Sequence, residues 1–270
     1  MELLAPAKSL QEAREAFNLG ADAVYTGPKG FTRHPEKAAA PDSLSLILKY
    51  SQTLLHKKVY AALNRVPSPA QKKEFFKILE RLISLGIGGV IINDPGLIWE
   101  IRRLFPGLFI ISSIGIAPLN IEEASFLKGL GASRIILPEK ITLDELILFK
   151  KTLGTELEIF MDSLVSFDGA TGCFTFTGKC SLSSYFRQET REGEPVFGSA
   201  KRGGCNNICQ RDSRLRREGS TDNLNFSEIF PYVSAIKIKG DNSTAMQEKI
   251  KLLREKIDSA GEIKETVSKA

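Results

Sequence analysis

Four cysteines, Cys173, Cys180, Cys205 and Cys209, fall within 37 positions, and the rest of the 270-residue chain has none. They form two pairs, Cys173-x6-Cys180 and Cys205-x3-Cys209, in a Gly- and Ser-rich stretch. Four thiolates that converge on one point are the ligand set of a [4Fe–4S] cluster or of a structural zinc ion. Inert core thiols would not gather in one polar segment. Structural zinc more often shows C-x2-C or C-x4-C pairs, whereas a cluster tolerates irregular spacing and suits a Gly-rich loop whose amides reach the sulfurs. The spacing leaves both metals open. Residues 199–220 carry six basic side chains (Lys201, Arg202, Arg211, Arg214, Arg216, Arg217) against Asp212 and Glu218. That excess would offset an anionic cluster, bind phosphate, or be solvated like most exposed charge.

These cysteines need a scaffold, and the first half of the chain supplies its signature. Leu19-Gly20-Ala21-Asp22-Ala23-Val24-Tyr25 is echoed by Leu85-Gly86-Ile87-Gly88-Gly89-Val90-Ile91-Ile92 and by Leu130-Gly131-Ala132-Ser133-Arg134-Ile135-Ile136-Leu137. Each phrase ends a helical pattern on Gly, the residue that most easily adopts a left-handed C-terminal cap. Each then runs into a short apolar segment, as a strand buried on both faces does. Strands are predicted at 2–5, 22–26, 58–63, 89–93, 108–112, 134–137, 157–161 and 234–239. Helices are predicted at 8–19, 42–56, 69–85, 96–104, 121–130, 143–153 and 243–259. Eight strands with intervening helices predict an α/β fold, a (β/α)8 TIM-barrel-like domain. A doubly wound open sheet is the alternative, and the absence of G-x-G-x-x-G after the first strand weakens its dinucleotide-binding form. Residues 1–161 and 233–260 are assigned to the barrel, 162–232 to a Cys-rich insertion after strand seven, and 261–270 to a polar tail.

An insertion after a barrel strand leaves from the C-terminal mouth, where barrel enzymes do chemistry. Polar residues at strand ends there are Tyr25, Asn64, Asp94, Ser113, Glu139, Lys140, Asp162, Lys237 and Lys239. Glu139 and Lys140 offer opposite charges able to orient a polar ligand, and with Asp162 they are the candidate catalytic group. A surface salt bridge is the plainer account of the pair. The others are candidate substrate contacts, although Asp94 before Pro95-Gly96 also fits a helix N-cap. His34 falls in the loop after strand two, and His56 falls at a predicted helix end, where capping is its expected role. With only two histidines and no His-x-x-x-His or Gly-x-Ser-x-Gly pattern, proteolysis is disfavoured. The start lacks a basic-then-apolar leader and no apolar run has membrane-spanning length, so a cytoplasmic protein is expected.

The cysteine motifs carry a resemblance. Cys173-Phe-Thr-Phe-Thr-Gly-Lys-Cys180-Ser-Leu-Ser-Ser is similar to C-x-S-x-S-G-R-C-x-x-S, and Gly198-Ser-Ala-Lys-Arg-Gly-Gly-Cys205-Asn-Asn-Ile-Cys209 to G-S-A-N-R-G-x-C-x-x-x-C. With Glu2-Leu-Leu-Ala-Pro-Ala7, Gly20-Ala-Asp-Ala-Val-Tyr25, Asn93-Asp-Pro-Gly96 and Ile236-Lys-Ile-Lys-Gly240, the chain resembles the peptidase U32 family from residue 2 to about 258. The resemblance implies a [4Fe–4S] cluster on Cys173, Cys180, Cys205 and Cys209, with zinc as the alternative. It implies oxygen-independent hydroxylation of a small aromatic quinone precursor, with a second U32-family chain as partner, or of an RNA base (tRNA uridine, rRNA cytidine). Prephenate is the implied oxygen donor in several branches. The small-aromatic reading is the main expectation, because residues 201–217 offer few aromatics to stack bases, and RNA binding through that stretch is the alternative.

The mouth departs from the family pattern. Met161-Asp162-Ser163 stands for V-H-G, Pro138-Glu139-Lys140-Ile141-Thr142 for S-R-E-L-S, Ile111-Ser112-Ser113-Ile114-Gly115 for H-A-S-T-Q, and Lys237-Ile-Lys-Gly-Asp241 for K-I-E-G-R. Scaffold and cysteines are kept while the strand ends are rewritten, which implies a divergent substrate or a subunit role.

Overall fold

In the computed structural model the described residues are 1–33, 38–138, 141–160, 226–239 and 244–269. Eight parallel strands close into a barrel in sequence order, β1 to β8. They are β1 Glu2–Pro6, β2 Ala23–Thr26, β3 Lys58–Leu63, β4 Gly89–Ile92, β5 Ile110–Ser112, β6 Arg134–Ile136, β7 Glu156–Phe160 and β8 Ala235–Lys237. Closure is made by β1 against β8, with Glu2 beside Ala235 and Leu4 beside Lys237. Helices follow as α1 Leu10–Asn18, α2 Pro41–Gln52, α3 Lys72–Ser84, α4 Pro95–Leu104, α5 Ile121–Gly129, α6 Leu143–Leu153, α7 Phe226–Ile229 and α8 Thr244–Lys269. The (β/α)8 expectation therefore holds over the open sheet.

Helix starts are chemically marked. Ser9, Asp94, Asn120 and Thr142 each accept a backbone N–H of the first turn, from Glu12, Leu97, Glu123 and Glu145 respectively. Such caps satisfy donors that a helix cannot bond itself. The repeated Leu-Gly joints behave as their sequence requires. Gly20, Gly86 and Gly131 have φ of 104°, 78° and 109°, a region that side chains disfavour. At Gly131 a Cβ would also collide with the Arg102 side chain, which binds the Gly131 carbonyl from α4. Turn, strand entry and helix packing are thus set by one residue.

The core has two layers. Outward strand residues such as Leu3, Val24, Val59, Val90, Ile135 and Ile236 meet Ile47, Phe75, Ile98, Leu146 and Leu253 of the helices. Inward residues Leu4, Ala23, Tyr60, Ala62, Ile91, Ile111, Ile136, Phe160 and Ala235 fill the barrel. This period-2 alternation fixes which strand residues can reach the barrel interior.

Three boundaries differ from expectation. The last helix continues to Lys269 instead of stopping near 259, because residues 260–269 contain no proline and half of them are the strong helix formers Glu, Lys and Ala. Residues 226–229 were assigned to the insertion, yet α7 belongs to the barrel's helical layer, with Ile229 buried in the core. His56 does not cap α2. That helix ends at Gln52, and His56 lies exposed in the following turn at φ 63°. The turn into β3 needs a left-handed residue, and no Gly is present there.

Candidate functional site

Inward parity places a column of ionisable groups inside the barrel. At the N-terminal end, Arg134 of β6 reaches Glu2 of β1 at 2.8 Å, Glu156 at 2.6 Å and Glu158 at 3.2 Å, both on β7. The Tyr60 hydroxyl donates to Glu2 at 3.0 Å, and Lys58 pairs with Glu2 at 3.1 Å. The Arg134 guanidinium also lies over the rings of Tyr60 and Phe109, 5.6 and 5.2 Å from their centroids. Burial pushes the Glu2 carboxyl upward, but Arg134 and Lys58 outweigh it and hold Glu2 below the usual carboxylate range. Burial raises the Tyr60 phenol strongly, and Glu2 beside it adds to this. Burial also works against charge on Arg134, yet Glu158 and Glu2 keep the guanidinium protonated.

Toward the C-terminal end the column continues with fewer bonds. Lys237, last in β8, is buried with its Nζ 3.6 Å from Glu158 Oε1. The ammonium sits 4.2 Å from the Tyr25 ring centroid and 5.4 Å from that of Phe160. Burial lowers the Lys237 pKa, Glu158 opposes this, and the charge on Arg134 adds to the lowering. Glu158 Oε1 accepts no hydrogen bond among the described residues, although its other oxygen takes one from Arg134.

The mouth positions named from sequence divide by role. Asp94 is the N-cap of α4, its Oδ1 accepting Leu97 N–H at 2.7 Å, so its carboxylate is spent on the helix. Asn93, one residue earlier, holds the inward register after Ile91. Its Oδ1 is buried without a partner among the described residues, and its side chain packs on Gly115, where a Cβ would collide. Asn64 accepts Arg33 N–H at 2.9 Å and ties the loop after β2 to the end of β3. Tyr25 donates its hydroxyl to the Ile238 carbonyl at 2.8 Å, fixing β2 to the end of β8. Ser113 is buried at the end of β5, where a 3-10 turn, 114–116, begins. Lys239 is half-buried at the next inward position after Lys237. Thus Lys237 and Tyr25 meet, while Asp94 and Asn64 serve the scaffold.

Sequence reasoning missed Asn93, Glu2, Arg134 and Glu158. A charged residue at inward parity within an apolar strand was the available signal for Arg134 in Ser133-Arg-Ile-Ile136 and for Glu158 in Leu157-Glu-Ile-Phe160. Glu139, Lys140, Asp162, His34, the four cysteines and the basic stretch 201–217 lie outside the described residues. Among the described residues, no group of three or more His, Cys, Asp or Glu is placed to hold a metal ion. Nor does any described helix have the length and apolarity to cross a membrane.

A family model, "Peptidase family U32", matches residues 8–262. The chain belongs to peptidase family U32. This U32 chain is 31% identical over 227 residues to the "tRNA hydroxylation protein P" of Haemophilus influenzae, covering 83% of the chain and 45% of that relative. It is 26% identical over 220 residues to the "23S rRNA 5-hydroxycytidine C2501 synthase" of Escherichia coli, covering 80% of the chain and 30% of that protein. The U32 chain therefore spans less than half the length of these relatives. Among solved structures, "The Structure of the U32 Peptidase Mk0906" superposes with a TM-score of 0.55 at 13% identity, covering 90% of this chain and 94% of that one. That likeness shows the shared barrel fold.

Proposed function

We infer that this U32 chain supports hydroxylation of an RNA base, a pyrimidine of tRNA or rRNA, at the C-terminal mouth of its barrel. The observation that carries this reading is the similarity to proteins named for tRNA hydroxylation and rRNA 5-hydroxycytidine synthesis, which runs through most of the barrel. The order of the two sequence expectations is thereby reversed, since the RNA alternative gains support that the quinone-precursor reading and its second U32-family chain lack. Chemistry on a base usually requires it to leave the stack and enter a closed site. A barrel mouth lined by Asn93, Ser113, Lys237 and Lys239 is a suitable receptor.

The donor set Cys173, Cys180, Cys205 and Cys209 fits a [4Fe–4S] cluster, which would supply one-electron chemistry when bound; zinc would supply none. The barrel's own part is to bind and orient the substrate and to keep water from the polar floor. Lys237 is the group best placed to contact a substrate oxygen, with Tyr25 and Phe160 limiting where its amine can move. The basic stretch 201–217 would add salt-dependent attraction for the RNA backbone.

The test is nucleoside analysis of tRNA and rRNA from the native host with and without this gene. We expect a hydroxylated pyrimidine to vanish on deletion and return with the wild-type gene; an unchanged nucleoside profile contradicts the reading. For the cofactor, anaerobically purified protein is expected to hold about four irons per chain, lost in Cys180→Ala while the barrel stays folded. Zinc without iron after anaerobic reconstitution would reject the cluster.

A further inference from the structure

Lys237 is bound differently from Arg134, the other buried cation of the barrel interior described above. Arg134 forms hydrogen bonds of 2.8 to 3.2 Å to Glu2, Glu156 and Glu158. Lys237 has three N–H donors, and the carboxylate oxygen facing it, Glu158 Oε1, lies 3.6 Å away, just beyond ordinary hydrogen-bond length. That Glu158 oxygen is without a hydrogen bond among the described residues. A lysine present only to neutralise a buried carboxylate would close that bond, because an unmade bond to a buried charge is costly. Glu158 is already neutralised in part by Arg134, while Glu2 is shared by Arg134 and Lys58. The rings of Tyr25 and Phe160 hold the ammonium by cation–π attraction, which fixes its position and uses none of its donors. Tyr25 is itself anchored to the Ile238 carbonyl. Four strands away in the closed barrel, Asn93 brings a second buried polar atom without a partner among the described residues, so such groups sit on opposite sides of one mouth.

We propose that Lys237 is a ligand-binding cation on the floor of the mouth, donating to an electron-rich oxygen of the bound molecule while Glu158 positions it from beneath. The inference rests on the RNA reading for one source of that oxygen, the ring carbonyl of a pyrimidine. A carboxylate of a small co-substrate presents the same chemistry and is the other source. Docked through its C2 carbonyl, which lies across the ring from C5, a pyrimidine would leave C5 directed away from Lys237.

Lys237→Met alone leaves Glu158 short of counter-charge, so the informative variant is Glu158→Gln with Lys237→Met, which removes one charge of each sign. Replacing both members of a buried pair is often tolerated, and thermal unfolding checks that the double variant is folded. Calorimetric titrations of the full chain with uridine, cytidine and benzoate separate the two sources. Binding of at least one probe by the native chain, weakened about tenfold or more in the double variant, is the expected result. Equal binding by the double variant overturns the proposal, as does failure of every probe to bind the native chain. RNA hydroxylation is scored separately. A chain that binds through Lys237 but leaves RNA unmodified keeps this inference and removes the RNA reading. RNA hydroxylation retained by the double variant does the reverse.

Discussion

The two ends of this barrel treat buried polarity in opposite ways. At the N-terminal end, Arg134 is bonded to three carboxylates and stacked on two rings, and Tyr60 and Lys58 complete the coordination of Glu2. At the C-terminal end, Asn93 Oδ1 and Glu158 Oε1 are buried without hydrogen-bond partners among the described residues, and Lys237 stands 3.6 Å from that Glu158 oxygen. Saturated networks rigidify a fold, whereas unmet groups cost stability and are retained where a ligand meets them. The contrast follows the division of labour in β/α barrels, with stability at the bottom and chemistry at the top.

Arg134→Leu should break this asymmetry most severely. It leaves Glu2 and Glu158 buried without their shared cation, and a loss of about 3–5 kcal/mol in denaturant unfolding is expected. A smaller loss would mean that the lower network relaxes or admits water. Gly131→Ala comes next, at about 1–3 kcal/mol, since it forces a side chain to φ 109° against Arg102. Neutral behaviour would show that the joint before β6 can rebuild.

The adjacent residues Asp94 and Asn93 sharpen the comparison. Asp94→Ala should cost about 1 kcal/mol through the lost α4 cap and leave the proposed RNA hydroxylation by the folded protein intact. Asn93→Ala should leave stability nearly unchanged and reduce hydroxylation.

The pH dependence of stability is the smallest effect. Glu2 is held below its ordinary value of 4.5, so its pairing contributes fully above that pH. The contribution fades as pH falls through the depressed folded value. Glu2→Gln should flatten this acid limb in unfolding measured from pH 6 to pH 2.

Much of the frame could be read from the chain because each unit repeats one local rule. Gly20, Gly86 and Gly131 mark helix-to-strand joints whatever the rest of the fold does, and their positive φ angles are as the phrase requires. The strand at 58–63 and the helix at 143–153 match their expected spans for the same reason: apolar period and capping are local. The lower charge network was hidden because its bonded members are up to 132 positions apart and meet only when β1, β6 and β7 close. At the mouth, position alone could not tell Asp94, turned to its helix, from Asn93, turned inward. A helix N-cap and a ligand contact call for the same residue types one position apart.

The most direct test is the hydroxypyrimidine content of RNA from a gene-deleted host carrying Asn93→Ala, matched to wild type for folded protein. The account predicts a clear loss of the modification with unfolding unchanged. Wild-type modification, or a fall in stability large enough to explain the loss, would contradict the claim that the mouth's unpartnered groups serve the substrate.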